Sequence, residues 1–223
     1  MRITTGIDGL DKLIEGGFPE KTAILLSGGP GSGKTLLGMN FLLDGAQKGE
    51  KCCYVSLSEN ESELKRAAGS IDSLKSASKY MEKNLIFKHM NIGYDLNVKS
   101  FLETISEYPK MDRIVIDNVN KLLMFADTKK MYRMVLADLI KHLKEKVSCT
   151  LILCESDGDS IDTGNGEAFE CDGALHLSFL ELEEKPMRIL RIQKLRYTDF
   201  EPHVARNIVI SKKDIRMGRT SVI

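Results

Sequence analysis

Eight residues constrain this chain more than any others. Gly28-Gly29-Pro30-Gly31-Ser32-Gly33-Lys34-Thr35 fits G-x-x-x-x-G-K-[ST], the spacing of a phosphate-binding loop in nucleoside triphosphatases. Its flanks suit it. Ala23-Ile24-Leu25-Leu26 has the length and apolarity of a buried strand, and Leu36 to Leu43 carries apolar residues at helical spacing. Glycines let successive backbone N–H groups converge on one anion. A helix opening at Gly33 adds unpaired N–H groups and the positive end of its dipole. In such a loop Lys34 reaches the β- and γ-phosphates, and the Thr35 hydroxyl is a ligand for Mg²⁺.

The remaining apolar runs alternate between strand and helix periods. Cys52–Leu57, Leu85–Met90, Arg113–Asp117 and Cys149–Cys154 read as buried strands. Residues 61–83, interrupted near Gly69-Ser70, read as helix, as do Val98–Glu107 and residues 128–146. This alternation predicts an α/β fold with a mostly parallel, twisted sheet flanked by helices. Ala174–Leu182 and Met187–Leu195, joined by Glu183-Glu184-Lys185-Pro186, predict an antiparallel hairpin that extends the sheet, with a last strand at Arg206–Ser211. Near the N-terminus Ile7, Leu10, Leu13 and Ile14 share one helical face. Asp8 is the expected cap and Gly16-Gly17 the stop. Asp127 is the expected cap of the 128–146 helix. Ser156–Glu170, rich in Asp, Glu and Gly and free of Lys and Arg, reads as a mobile acidic loop. At 223 residues, with no internal repeat or low-complexity linker, a single domain spanning 1–223 is expected.

Two carboxylates follow strands where ligands bind in such sheets. Asp117 ends its strand as a metal-holding aspartate does in phosphate-loop enzymes, opposite Thr35. Glu59 follows the Cys52–Leu57 strand, expected beside the phosphate strand. Two readings stay open for this stretch: Glu59 as the base that orients an attacking water, or helix capping, since Ser58 and Glu61 have capping-box spacing.

Composition narrows the partners. Lys+Arg and Asp+Glu are both 32, so bulk charge does not make the chain a nucleic-acid binder. No apolar run approaches the ~20 residues of a membrane span, and the N-terminus lacks the apolar core of a signal peptide. A cytoplasmic protein is expected. The five cysteines, odd in number and without a C-x-x-C, read as buried reduced thiols.

Five stretches together resemble the KaiC-like branch of the RecA/RadA ATPases, as a single-domain, archaeal-type member. They are Thr5-Gly6-Ile7-Asp8-Gly9-Leu10-Asp11 with Gly16-Gly17-Phe18-Pro19, the loop Gly28–Thr35, Tyr54–Glu59, Val115–Val119 and Gln193–Thr198. The resemblance implies a RecA-like core that binds ATP and Mg²⁺ and assembles into homo-oligomeric, usually hexameric, rings with nucleotide between subunits. It implies nucleotide contacts at Gly28, Gly29, Pro30, Gly31, Ser32, Gly33, Lys34, Thr35 and Leu36, with Thr198 at a further contact position. Thr35 and Asp117 are the implied metal ligands, and Glu59 and Lys34 the implied catalytic groups in cis. Lys194 and Arg196 match the family's K-[LM]-R, which reaches the neighbouring subunit's γ-phosphate. Four positions depart from the pattern. Ser58 replaces the first of two acids, Tyr197 a glycine, Phe200 a histidine, and Asn120 a Ser or Thr.

Three functions compete on this reading. One is a slow ring ATPase that switches with nucleotide state. Another is a DNA-handling recombinase paralogue; Lys121, Lys129 and Lys130 favour a nucleic-acid contact, and the acidic 156–170 stretch opposes it. The third is a nucleotide-binding scaffold with weakened catalysis, suggested by Ser58.

Overall fold

The computed structural model describes residues 1–81, 83–90, 103, 111–182 and 186–221. A nine-stranded sheet organises it. In chain order the strands are β3 (Thr22–Gly28), β4 (Cys52–Ser56), β5 (Leu85–His89), β6 (Arg113–Asp117), β7 (Cys149–Glu155), β8 (Gly173–Leu180), β9 (Met187–Leu195), β10 (Ala205–Ile210) and β11 (Ile215–Ser221). A separate antiparallel pair, β1 (Arg2–Ile3) and β2 (Phe18–Pro19), precedes them. The spatial order is β11-β10-β9-β8-β3-β7-β6-β4-β5. Strands β5, β4, β6, β7, β3 and β8 run parallel, and β8 to β11 pair antiparallel.

The parallel strands are apolar on both faces because both are covered. Along β3 the pleat alternates its side chains. Ile24 and Leu26 enter one core with helix α2 (Lys34–Gln47), α1 (Leu10–Leu13) and α3 (Glu61–Gly69), while Ala23 and Leu25 enter the other with α5 (Lys129–Lys146). Between α3 and β5 run a 3₁₀ segment, Asp72–Ala77, and α4 (Ser78–Met81). These breaks fall where the sequence places the interruption after Gly69-Ser70.

Several local expectations are corrected. Asp8 does not cap α1. The cap position is Gly9, in the left-handed region at φ 86°, and no side chain caps it. Asp11 instead accepts the Thr5 N–H, and the Asp8 carbonyl accepts the Met217 N–H across to β11. Thr128, not Asp127, caps α5 through the Met131 N–H. The capping box of α3 is Asn60 with Glu63, two residues on from the expected Ser58 and Glu61. Strand β4 does not lie beside β3; β7 and β6 stand between them. The 156–170 stretch is anchored. Glu167, in α6 (Glu167–Glu170), is fully buried and accepts hydrogen bonds from Tyr132 and Thr163. Strand β11 follows the strand expected last. The helix expected at Val98–Glu107 lies outside the described residues apart from Glu103.

All five cysteines are free and buried. Burial pushes the thiols of Cys52, Cys53 and Cys149 up to about 12, which keeps them protonated. Among the described residues no helix is long and apolar enough to cross a membrane.

One buried cation ties the N-terminal segment to this framework. Arg113, at the start of β6, is fully buried. Its guanidinium donates to the carbonyls of Thr4 and Phe41, to Asp44 on α2, and in bidentate fashion to Glu50. It also lies 4.8 Å from the Phe41 ring centroid. Gly45 makes room for it, since a Cβ there would fall 2.5 Å from Arg113 Nε.

Candidate functional site

The carboxyl ends of the parallel strands form the site. Strand β3 delivers the loop, β6 delivers Asp117, β4 delivers Glu59, and β7 ends at Glu155. Two loop glycines are required by close approach. Gly28 has φ 152°, and a Cβ there would meet the Leu177 carbonyl oxygen at 2.4 Å. Gly33 has φ 101°, and a Cβ there would meet Ile210 at 2.3 Å. Gly33 is the cap position of α2, and among the described residues no side chain caps the helix's first N–H groups. Those donors face the loop, as an anion site requires. Gly29, Pro30, Gly31 and Ser32 form the turn between them.

Lys34 folds over the loop. Its Nζ donates to the carbonyls of Gly28 at 2.7 Å and Gly29 at 2.9 Å. Burial pulls its pKa down, while Glu155 and Asp117 act in the opposite direction. Glu155 is therefore part of the site's electrostatics. It is itself held in place at the main chain, where the Asn120 amide both accepts from its N–H and donates to its carbonyl. Asn120, a departure from the family pattern, thus acts as a clamp on the end of β7.

The expected metal ligands come together. Thr35 Oγ1 donates to Asp117 Oδ2 at 2.9 Å across 82 residues of sequence. Tyr54 donates to the same oxygen at 2.5 Å. Burial and the adjacent Asp117 push Tyr54 well above the usual phenol range, so it stays a neutral donor. A hydroxyl and a carboxylate side by side are hard oxygen donors suited to Mg²⁺, which takes few protein ligands and completes its shell with water and phosphate oxygens. Ser32 Oγ in the loop and Asn118 Oδ1 beside Asp117 are buried and have no hydrogen-bond partner among the described residues. Polar atoms in that state suit a polar ligand. Leu36 follows in the first turn of α2, half-buried.

Glu59 is exposed past the end of β4. Its main chain is fixed by the Ser56 hydroxyl, which accepts its N–H, and by a contact between its carbonyl and His89. Burial, then Asp117 and Glu63, raise its carboxyl pKa. Asp117 is thus near enough to act on its charge, and the cap of α3 is made by other residues.

Lys194, Arg196 and Thr198 lie elsewhere. Lys194 is level with Ala174 and, through it, with Leu25; Arg196 is bonded to the Asp172 carbonyl beside Ala23. At about 3.3 Å per residue, Lys194 is about 10 Å and Arg196 about 17 Å short of Gly28 along the strands, and two strands to the side. Lys194 Nζ donates to the carbonyls of Ala168, Phe169 and Cys171. Arg196 faces Asp172 at 3.4 Å. Thr198 accepts from Arg2 at 2.5 Å. Tyr197 takes the left-handed region at φ 61°, a conformation that glycine adopts without strain.

The sequence reading missed Tyr54 and Glu155 as members of this site. Tyr54 reads as one more apolar residue of a buried strand, and only the β4–β6 register brings its hydroxyl to Asp117.

Comparison with known proteins agrees with this geometry. The family model described as "ATPase: KaiC" matches residues 3–221. A UPF0273 protein of Pyrococcus furiosus is 29% identical over 217 residues, covering 88% of this chain and 86% of that protein. The circadian clock oscillator protein KaiC of a Picosynechococcus strain is 28% identical over 200 residues, covering 87% of this chain and 38% of that protein. The crystal structure of a KaiC-like protein from Pyrococcus horikoshii superimposes with a TM-score of 0.86 at 29% identity, covering 98% of this chain and 99% of that one. The chain belongs to the KaiC ATPase family.

Proposed function

We propose that residues 1–223 form one domain that binds ATP with Mg²⁺ and hydrolyses it slowly, as the nucleotide-driven switch of a homo-oligomeric, hexameric ring. The observation that carries this reading is the Thr35–Asp117 contact of 2.9 Å at the mouth of the phosphate loop. Gly28 to Leu36 hold the phosphates through their backbone N–H groups, which Pro30 alone lacks, and Lys34 exchanges its carbonyl contacts for phosphate oxygens. Thr35 and Asp117 would hold Mg²⁺, which would supply neutralisation of phosphate charge there. Glu59 holds the attacking water and takes its proton, with a carboxyl already raised toward neutral pH.

Lys194 and Arg196 serve the neighbouring subunit's nucleotide, and Thr198 lies beside that contact. The strand register supports this assignment, since neither cation reaches the phosphate loop of its own chain. Exposure supports it too, because half of the Arg196 side chain remains open to a partner.

The test is ATP binding and turnover by the purified protein, with oligomer size followed by light scattering. Turnover that rises with oligomer formation is expected, and Lys34→Ala abolishes binding. A Lys34→Ala variant with unchanged affinity for ATP refutes the reading. A scaffold without catalysis is the outcome if ATP binds and is not turned over.

A further inference from the structure

Cationic charge is concentrated away from the phosphate loop. The chain is neutral overall, yet helix α5 carries Lys129, Lys130, Arg133, Lys141, Lys144 and Lys146 against Asp138 and Glu145. A cavity of about 550 Å³ opens beside its first two turns, within the size range of small-molecule sites. Lys129, Lys130, Arg133 and Met134 form one wall, and Asp162 and Phe169 stand on the other. Neither the phosphate loop nor Asp117, Glu59 or Glu155 lines it.

The walls are held in place. Asp162 accepts the N–H groups of Gly164 and Ala168, one on each oxygen. Arg133 donates to Glu170 through Nε and Nη2, which leaves its Nη1 without a hydrogen-bond partner among the described residues. A Cβ on Gly166 would come 3.1 Å from Arg133 Nε, so glycine lets loop and helix close on each other there.

The groups left over have a chemistry in common. Lys129 and Lys130 have no ion pair among the described residues. They sit in the first turn of α5, which contains no acid, and a lysine there opposes the helix dipole. They do not serve the helix, and a bound anion would relieve the repulsion. Phe169 is 75% exposed and Met134 61%, and Arg133 lies 5.8 Å from the Phe169 ring centroid. An exposed ring beside cations is a platform on which a base stacks. A long phosphate backbone would have to pass Asp162 and Glu170, whereas a single phosphate at the two lysines does not.

We propose that this cavity is a second nucleotide site, which takes a nucleoside phosphate with its phosphate on Lys129 and Lys130 and its base against Phe169 and Met134. The site is independent of the phosphate loop and of hydrolysis there.

The experiment is calorimetric titration of the full chain with AMP, GMP, CMP, UMP and ATP, and with inorganic phosphate and oligothymidylate as controls. Lys34→Ala silences the loop. The expected result is that Lys34→Ala still binds one nucleotide per chain. Adding Lys129→Glu and Lys130→Glu weakens that binding about tenfold or more, and adding Phe169→Ala weakens it about fivefold or more. Ligand-free melting stays unchanged or rises in the charge-reversed variant, because the helix dipole then favours the new side chains. Inorganic phosphate binds at least about tenfold more weakly than the best nucleotide. A Lys34→Ala chain that binds no nucleotide overturns the inference and leaves the ATP reading standing. Affinity within twofold after the charge reversal also overturns it, as does inorganic phosphate that binds as tightly as any nucleotide. Oligothymidylate that binds more tightly than every mononucleotide and displaces it assigns the surface to single-stranded nucleic acid instead. Weaker binding with melting lowered by about 5 °C or more assigns the lysines a structural role. If Lys34→Ala changes nothing while the charge reversal in the otherwise wild-type chain removes all ATP binding, the reading of the loop fails and this inference stands.

Discussion

Replacing Arg113 with Met should cost this fold more than any single surface change. The side chain keeps a similar apolar stem and loses six donor contacts: two to the carbonyls of Thr4 and Phe41, one to the Thr4 hydroxyl, one to Asp44 and two to Glu50. The carbonyls of Thr4 and Phe41 then lose their cationic donor, at about 1–3 kcal/mol for each group left unsatisfied. The two carboxylates are less demanding, because their side chains remain 18% and 26% exposed and keep some water. Removing one partner of a buried ionic network costs about 3–5 kcal/mol, and the sum here falls in that range. For a chain of this length, that lowers the melting temperature by roughly 6–20 °C.

Asp44 gives the effect a pH signature. Burial alone raises its pKa, but the hydrogen bonds from Lys48 and Thr4 and the charge of Arg113 outweigh it and hold the carboxyl below its ordinary value of 3.8. A depressed folded pKa contributes stability that is present above 3.8 and lost as pH falls through the folded value. Arg113→Met shrinks that loss. Urea unfolding at neutral and acid pH reads both quantities. A destabilisation below about 1 kcal/mol would refute the view that Arg113 fastens the N-terminal segment to α2 and β6.

Two further outcomes follow, one from Tyr197, which departs from the family pattern, and one from Glu59. Tyr197 is 75% exposed and left-handed, so Tyr197→Gly relieves about 1–2 kcal/mol of strain against about 0.5–1 kcal/mol of added chain entropy; thermal melting should rise by a few degrees, and a fall contradicts the strain argument. Because the Glu59 carboxyl is raised, ATP turnover that uses it as base is lost as pH falls through a value above 4.5; Glu59→Gln should remove that acid limb and reduce kcat by about 10²–10⁴, and a pH profile unchanged in the variant assigns the base elsewhere.

The architecture was legible because apolar runs and glycines report buried strands and turns directly. The 23–26 run became β3, Gly28 and Gly33 sit where a Cβ would collide, and the two extended runs of 174–195 paired as an antiparallel hairpin. Helix starts were less legible. Asp8, Ser58 and Asp127 all had the right chemistry for a cap, and a residue one or two positions on took that place each time, because cap identity depends on backbone entry angle. Strand order was hidden as well. Nothing in Cys52–Ser56 says that two strands separate it from β3, since crossover connections carry no local signal of where they land. The same holds for Tyr54 and Glu155, whose partners are fixed by register across the sheet. The acidic 156–170 stretch misled because composition cannot show that one of its carboxylates, Glu167, is buried against Tyr132.

The most direct measurement is the Mg²⁺ dependence of ATP affinity in wild type and in Asp117→Asn. Asparagine keeps the shape and can still accept from Thr35 and Tyr54, so the fold and the loop persist while the charged metal ligand is gone. If Thr35 and Asp117 hold the metal of bound ATP, Mg²⁺ tightens wild-type binding by about tenfold or more, equivalent to at least about 1.4 kcal/mol, and leaves Asp117→Asn unmoved. Equal Mg²⁺ enhancement in the two proteins, or none in wild type, would contradict the account.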